Sequence, residues 1–178
     1  MKIINTKFKG LKIIQQISFK DKRGFLRITH NQKFLKNKNF VFEYCTNSKK
    51  NSLRGFHFQY KQQQAKYVSV IKGKILDCVI DLRKNSKTFC NVFKIVLSDK
   101  NNLGLYIPEG FAHAYYSYKN ENIIYYKLNN YYQPRYEDGI NTLDKTLKIK
   151  WPSNFFLISK KDKQLGSLEK FKKNYKYL

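Results

Sequence analysis

The chain has 178 residues, 42% of them hydrophobic and including 14 Tyr and 14 Phe, enough for one domain (residues 1–178) with a real core rather than a disordered segment. Its 36 Lys and Arg against 12 Asp and Glu give a formal net charge of +24, which invites a nucleic-acid reading. Only five of the basic residues are Arg, the lysines are scattered along the whole chain, and no RRM, KH or helix-turn-helix signature accompanies them, so the excess reads as a solvated lysine surface.

At the N-terminus, apolar residues alternate with Lys and leave no uninterrupted signal-peptide core. Nowhere downstream does an apolar run approach the ~20 residues that span a bilayer. Short runs rich in β-branched and aromatic residues then follow in order: FLRITH (25–30), FVFEYCT (40–46), AKYVSVI (65–71), KILDCVIDL (74–82), CNVFKIVLS (90–98), GLYIPEG (104–110), AHAYYSY (112–118) and NIIYYKL (122–128). Many alternate at period two, and turns such as KGK, RKNSK and SDKNN separate them. That rhythm predicts an all-β fold, a cupin-type jelly-roll barrel or sandwich with a few short peripheral helices. Helix signals gather near the C-terminus, in SLEKFKKNYKYL (167–178). Cys45, Cys78 and Cys90 form no CxxC pair, which argues against disulfides and a thiolate zinc site. A cytoplasmic protein without membrane contact is the expectation.

Two of the three histidines lie in dense polar stretches. His57 follows Arg54 and Gly55 in SLRGFHFQYKQQQAK (52–66), which ends at Lys66. At period two Arg54 faces away from His57, but Gly55 permits a bulge that re-aims one of them. A strand bearing Lys66, paired beside it, then brings Arg, His and Lys to one pocket suited to an anionic substrate and proton transfer near neutral pH. His113 closes PEGFAH, whose Pro108 and Gly110 make a tight turn that aims the ring into the barrel. P-x-G-x-x-H matches the second cupin motif, whose histidine often binds metal. The first motif needs H-x-H, and here Phe58 and Gln59 follow His57, so no metal set is expected. Tyr126, in an aromatic strand, reads either as core or as a proton-donating phenol whose pKa neighbouring cations lower.

The chain also resembles the dTDP-4-dehydrorhamnose 3,5-epimerases, cupin-fold, metal-free enzymes of nucleotide-sugar biosynthesis, from about residue 18 to residue 168. The motifs that carry the resemblance are FKDKRGF (19–25), LRGFHFQ (53–59), AKYVSVIKG (65–73), DCVIDLRKNSKTF (77–89), IPEGFAH (107–113), YKLNNYY (126–132), DGINTLD (138–144), WP (151–152) and ISKKD (158–162). The resemblance implies a 4-keto-6-deoxyhexose linked to a nucleoside diphosphate as substrate, and no cofactor. It assigns His57 as general base, Asp162 as its orienting carboxylate, Lys66 as the cation on the enolate oxygen and Tyr126 as the acid on the opposite face. Arg54, His113, Tyr132 and Asp77 match binding residues, and Arg23 matches an arginine that reaches the diphosphate across a homodimer interface. Asp81, Arg83 and Asp144 are expected in structural ion pairs, and Lys72 near the mouth of the pocket.

The sequence departs from the family pattern where a glutamate gives way to Ile28, near Arg27. It departs again where a Q-x-N segment gives way to Phe42-Glu43-Tyr44, with Thr46 in place of a common serine. The alternatives are an epimerase acting at C3 or C5 alone, a related ketoisomerase, a metal cupin oxygenase and a basic polyanion-binding module.

Overall fold

The computed structural model describes residues 1–35 and 39–174. Its strands are β1 (Lys2–Asn5), β2 (Lys12–Gln15), β3 (Ile17–Asp21), β4 (Gly24–Ile28), β5 (Phe42–Ser48), β6 (Leu53–Gln59) and β7 (Lys66–Lys72). After them come β8 (Lys74–Asp81), β9 (Val92–Ser98), β10 (Leu103–Ile107), β11 (Phe111–Ser117), β12 (Asn122–Leu128) and β13 (Glu137–Gly139), then the short helices α1 (Lys160–Lys163) and α2 (Leu168–Asn174). One sheet has the order β1-β2-β10-β7-β12-β5, a second the order β13-β6-β11-β8-β9, and β3 and β4 form a separate hairpin. The two large sheets face each other, giving the expected jelly-roll sandwich with small peripheral helices.

Period-two patterning explains the layers. In β12, Asn122, Ile124, Tyr126 and Leu128 are buried and the residues between them are half-buried. Between the sheets, Val68, Val70, Leu105, Ile124 and Leu128 meet Ile75, Val79, Leu97, Phe111 and Tyr115. The outer face of the β6-β11-β8 sheet is covered as well: Phe56, Phe58, Ile80 and Ala112 pack against Leu147, Leu168 and Phe171 of the C-terminal segment. On the outer face of the other sheet, Ile14, Tyr67 and Tyr106 pack with Leu35. Strand β11 is therefore buried at every position, and its sequence shows no clean alternation. Each buried large side chain contributes about 1.5–3 kcal/mol, against about 0–1 kcal/mol for an exposed ion pair. Packing of these layers holds the fold.

One element differs from the sequence reading. The strand bearing Lys66 does not pair beside that of His57. β7 hydrogen-bonds to β10 and β12, and β6 to β11 and β13, so the two residues face each other from opposite sheets. The stretch between β6 and β7 crosses the sandwich instead of closing a hairpin. The C-terminal helical stretch is α2, and its last residues, 175–178, lie outside the described residues.

Candidate active site

The polar cluster occupies positions that the pattern assigns to core. Lys66 lies two residues before Val68, Asp77 sits between Ile75 and Val79, His113 between Phe111 and Tyr115, and Tyr126 between Ile124 and Leu128, all apolar partners of the central core. Buried charges at such positions cost stability unless paired, which marks them as functional candidates.

His57 reaches the same interior through an irregularity in β6. His113 is the partner of His57 and Tyr115 of Arg54, so three steps along β6 match two along β11 and one residue is extra, the bulge that Gly55 permits. Gly55 has φ +110°, and a Cβ there would lie 2.4 Å from the His113 carbonyl oxygen and 2.7 Å from Ala114 Cα. Only glycine fits. Its N–H donates to Asp162 Oδ2 at 3.2 Å, and Asp162 Oδ1 is 2.9 Å from His57 Nε2. Ser159 caps α1 by accepting from the Asp162 N–H at 3.0 Å, which fixes the carboxylate in place.

Burial alone would raise the Asp162 pKa, but the His57 ring and the Gly55 N–H hold the carboxyl below its ordinary value. With Asp162 ionised and able only to accept, Nε2 donates to it, and in the neutral ring that leaves the lone pair on Nδ1. Nδ1 is 3.9 Å from Glu137 Oε1. Glu137 also accepts from the Tyr132 hydroxyl at 2.5 Å and pairs with Lys161. Glu137 was not singled out in the sequence: β13 spans only Glu137–Gly139, too short to show a period.

Facing His57 across the sandwich, Lys66 is 8% exposed, and burial pushes its pKa down to about 8 against the opposing pull of Glu137 and Asp77. Asp77 is fully buried, with Oδ2 2.8 Å from His113 Nε2 and Oδ1 without a hydrogen-bond partner among the described residues. Burial raises its pKa while His113 and Lys66 oppose the rise. Tyr126 is buried too. Burial, then Tyr115, Tyr44 and Asp77, push its pKa well above the ordinary phenol value, with Arg54 the opposing charge. The expectation that cations would lower it is corrected: in a buried site ringed by phenols and a carboxyl, desolvation outweighs one exposed guanidinium. A phenol so placed keeps its proton until it donates it.

Arg54 is exposed and lines an open cleft of about 520 Å³ with Ser52, His57, Leu157, Lys161 and Asp162. Arg23 is not brought to the cluster: it stands at the exposed tip of the β3–β4 hairpin, 2.6 Å from Asp21. Lys72 pairs with Glu121 at the far end of β7 from Lys66, about 20 Å along the strand at ~3.3 Å per residue, so it does not flank the pocket. Asp81 and Arg83 do form an ion pair, at 2.8 Å, whereas Asp144 caps backbone, accepting from the Thr146 and Leu168 N–H groups. Among the described residues no group of three or more His, Cys, Asp or Glu side chains is placed to hold a metal ion.

The family model of dTDP-4-dehydrorhamnose 3,5-epimerase matches residues 5–170. The chain belongs to that family. It is 37% identical over 169 residues to the dTDP-4-dehydrorhamnose 3,5-epimerase of Methanothermobacter thermautotrophicus, covering 91% of each chain. Among solved structures, the dTDP-6-deoxy-D-glucose-3,5-epimerase of Legionella pneumophila, in complex with dTDP-4-keto-L-rhamnose, superposes with a TM-score of 0.90 at 36% identity, over 94% of this chain and 93% of that one. The dTDP-4-dehydrorhamnose 3,5-epimerase of Bacillus anthracis, with TDP and PPi bound, gives a TM-score of 0.90 at 35% identity, over 94% of this chain and 99% of that one.

The segment Phe42-Glu43-Tyr44, where the sequence suggested a departure from this epimerase family's pattern, sends its side chains to different partners. Glu43 turns to Lys127, at 2.5 Å, and to the Tyr125 hydroxyl. Tyr44 instead stacks on Tyr126. Thr46 and Ser48 hydrogen-bond the Tyr115 hydroxyl at 3.1 and 2.9 Å.

Proposed function

We propose that this chain epimerises a nucleoside-diphosphate 4-keto-6-deoxyhexose at C3 and C5, with dTDP as the nucleotide. The observation that carries the reading is the placement of His57, backed by ionised Asp162, and of protonated Tyr126 on facing sheets, with Lys66 on the Tyr126 side. Hydrogens beside a ketone are acidic because their loss leaves a resonance-stabilised enolate. His57 Nδ1 takes the proton from carbon, and the C–H electron pair moves onto the carbonyl oxygen. Lys66 in its ammonium form stabilises that oxyanion, and a poorly hydrated cation is worth more there than in water. Tyr126 then delivers its proton to the opposite face, the enolate returns to ketone, and the new C–H bond has inverted geometry. The phenolate and the imidazolium exchange protons with solvent to reset the site. These steps are redox-neutral, so the proposal invokes no cofactor and no metal.

Arg54, His113, Asp77 and Tyr132 supply the binding wall, with Arg54 at the mouth for the diphosphate. The hairpin supports a homodimer: Phe19, Phe25 and Leu26 are 58–62% exposed beside Arg23, a surface that a second copy would cover while Arg23 reaches the partner's diphosphate. A cytoplasmic location fits a substrate of this class.

Incubating dTDP-4-keto-6-deoxyglucose with the protein in D₂O and locating label by NMR tests the reading. Deuterium at both C3 and C5 with inverted product is expected. Label at one carbon alone would make it a mono-epimerase, and label at neither, with folded protein, would contradict the proposal. In thermal shift, dTDP is expected to raise the melting midpoint more than UDP, GDP or CDP.

A further inference from the structure

Tyr44 stands opposite Tyr126 in the β5–β12 pair, and their rings stack with centroids 4.8 Å apart and an interplanar angle of 20°. On another side, the Tyr126 ring meets His113 edge-to-face at 6.0 Å and 66°. Tyr44 is itself braced by Phe42 at 5.7 Å, yet remains 38% exposed at the mouth of the site. Aromatic χ2 wells are broad, so the plane of the buried Tyr126 phenol is set by the rings packed against it. The stack on one face and the histidine edge beside it supply that restraint.

We propose that Tyr44 is a positioning residue that fixes the plane of the Tyr126 phenol, so that the proton reaches the enolate from the face opposite His57. The inference rests on the reading of Tyr126 as proton donor. It has a specific kinetic meaning. Once His57 has removed the proton, the enolate regains one either from the His57 side, which exchanges the hydrogen without inversion, or from Tyr126, which forms the C–H bond with inversion as the phenol O–H bond breaks. Tyr44 therefore sets the ratio of inversion to exchange and not the rate of deprotonation.

The test measures both rates in D₂O for wild type, Tyr44→Phe and Tyr44→Ala, on the 4-keto-6-deoxy sugar nucleotide. Tyr44→Phe keeps the stack and is expected to keep the ratio. Tyr44→Ala is expected to lower the ratio about two- to tenfold, with exchange and KM little changed, a range set by the strength of one aromatic pair. An unchanged ratio in Tyr44→Ala would overturn the proposal, as would an equal fall in Tyr44→Phe, which would place the effect in the hydroxyl. If Tyr44→Ala does not fold, Tyr44→Leu, which fills the space without an aromatic face, reads the same ratio. Absence of exchange in the wild type would instead overturn the epimerase reading itself, so the two failures are distinguishable.

Discussion

Lys66 puts an ammonium at an inward strand position beside Val68, and its pKa near 8 gives that placement two opposite pH signatures. Free lysine titrates at about 10.4, so between roughly pH 8 and pH 10 the unfolded chain binds more protons than the folded one. The burial cost is fully present below pH 8 and is relieved as pH rises through that window, so stability should climb there. In the proposed mechanism only the charged form stabilises the enolate, so activity should move the other way, and kcat/KM is expected to fall on the alkaline side with a midpoint near 8. Replacing Lys66 with Met removes a buried charge, so the melting midpoint at neutral pH should rise and the alkaline gain in stability disappear, while turnover drops about 10²–10³-fold. A lowered midpoint in that variant would contradict the assignment. At Asp162, change to Asn leaves the hydrogen-bond geometry but removes the charge that selects the ring tautomer. The loss should appear in kcat much more than in KM, measured by steady-state kinetics.

At the scale of elements, β6 and its bulge connect sequence to chemistry. The Gly55 bulge was legible because a lone glycine inside a strand, between Arg54 and His57, signals a register break. The sheet that carries Lys66 was not legible. Period two tells which residues share a face, but a segment such as 60–65 can close a hairpin or cross the sandwich, and nothing in its residues decides. Strands β1, β2, β3 and β13 escaped for a different reason: they have only four, four, five and three residues, too few to show a clear alternation. The His57–Asp162 contact spans 105 positions, and only the family resemblance pointed to it. Gly55→Ala should cost about 2–4 kcal/mol, since backbone lies where the new Cβ must go, and should also pull the N–H off Asp162. Thermal melts with parallel exchange assays check this; a variant of wild-type stability would contradict the close approach.

On the scale of the whole molecule, the charge of +24 is carried mostly by a dispersed lysine surface, and the groups assigned to chemistry are few and inward. Arg54, Tyr132 and Arg23 are exposed, and Arg23 serves a site only if a second copy places it there. In the proposed dimer, mixing His57→Ala with Arg23→Ala, each poorly active alone, should restore activity. Mixed dimers would join an intact His57 in one copy to an intact Arg23 from the other. Failure to complement, with mixed dimers present by native mass spectrometry, would remove Arg23 from the site.

The central claim is that His57 removes the proton and Tyr126 returns one from the opposite face. Deuterium exchange and inversion at C3 and C5, followed by NMR for wild type, His57→Ala and Tyr126→Phe, test it most directly. His57→Ala is expected to lose exchange at both carbons, and Tyr126→Phe to keep exchange but lose inversion. Exchange that survives in folded His57→Ala, or inversion that survives in Tyr126→Phe, would contradict it.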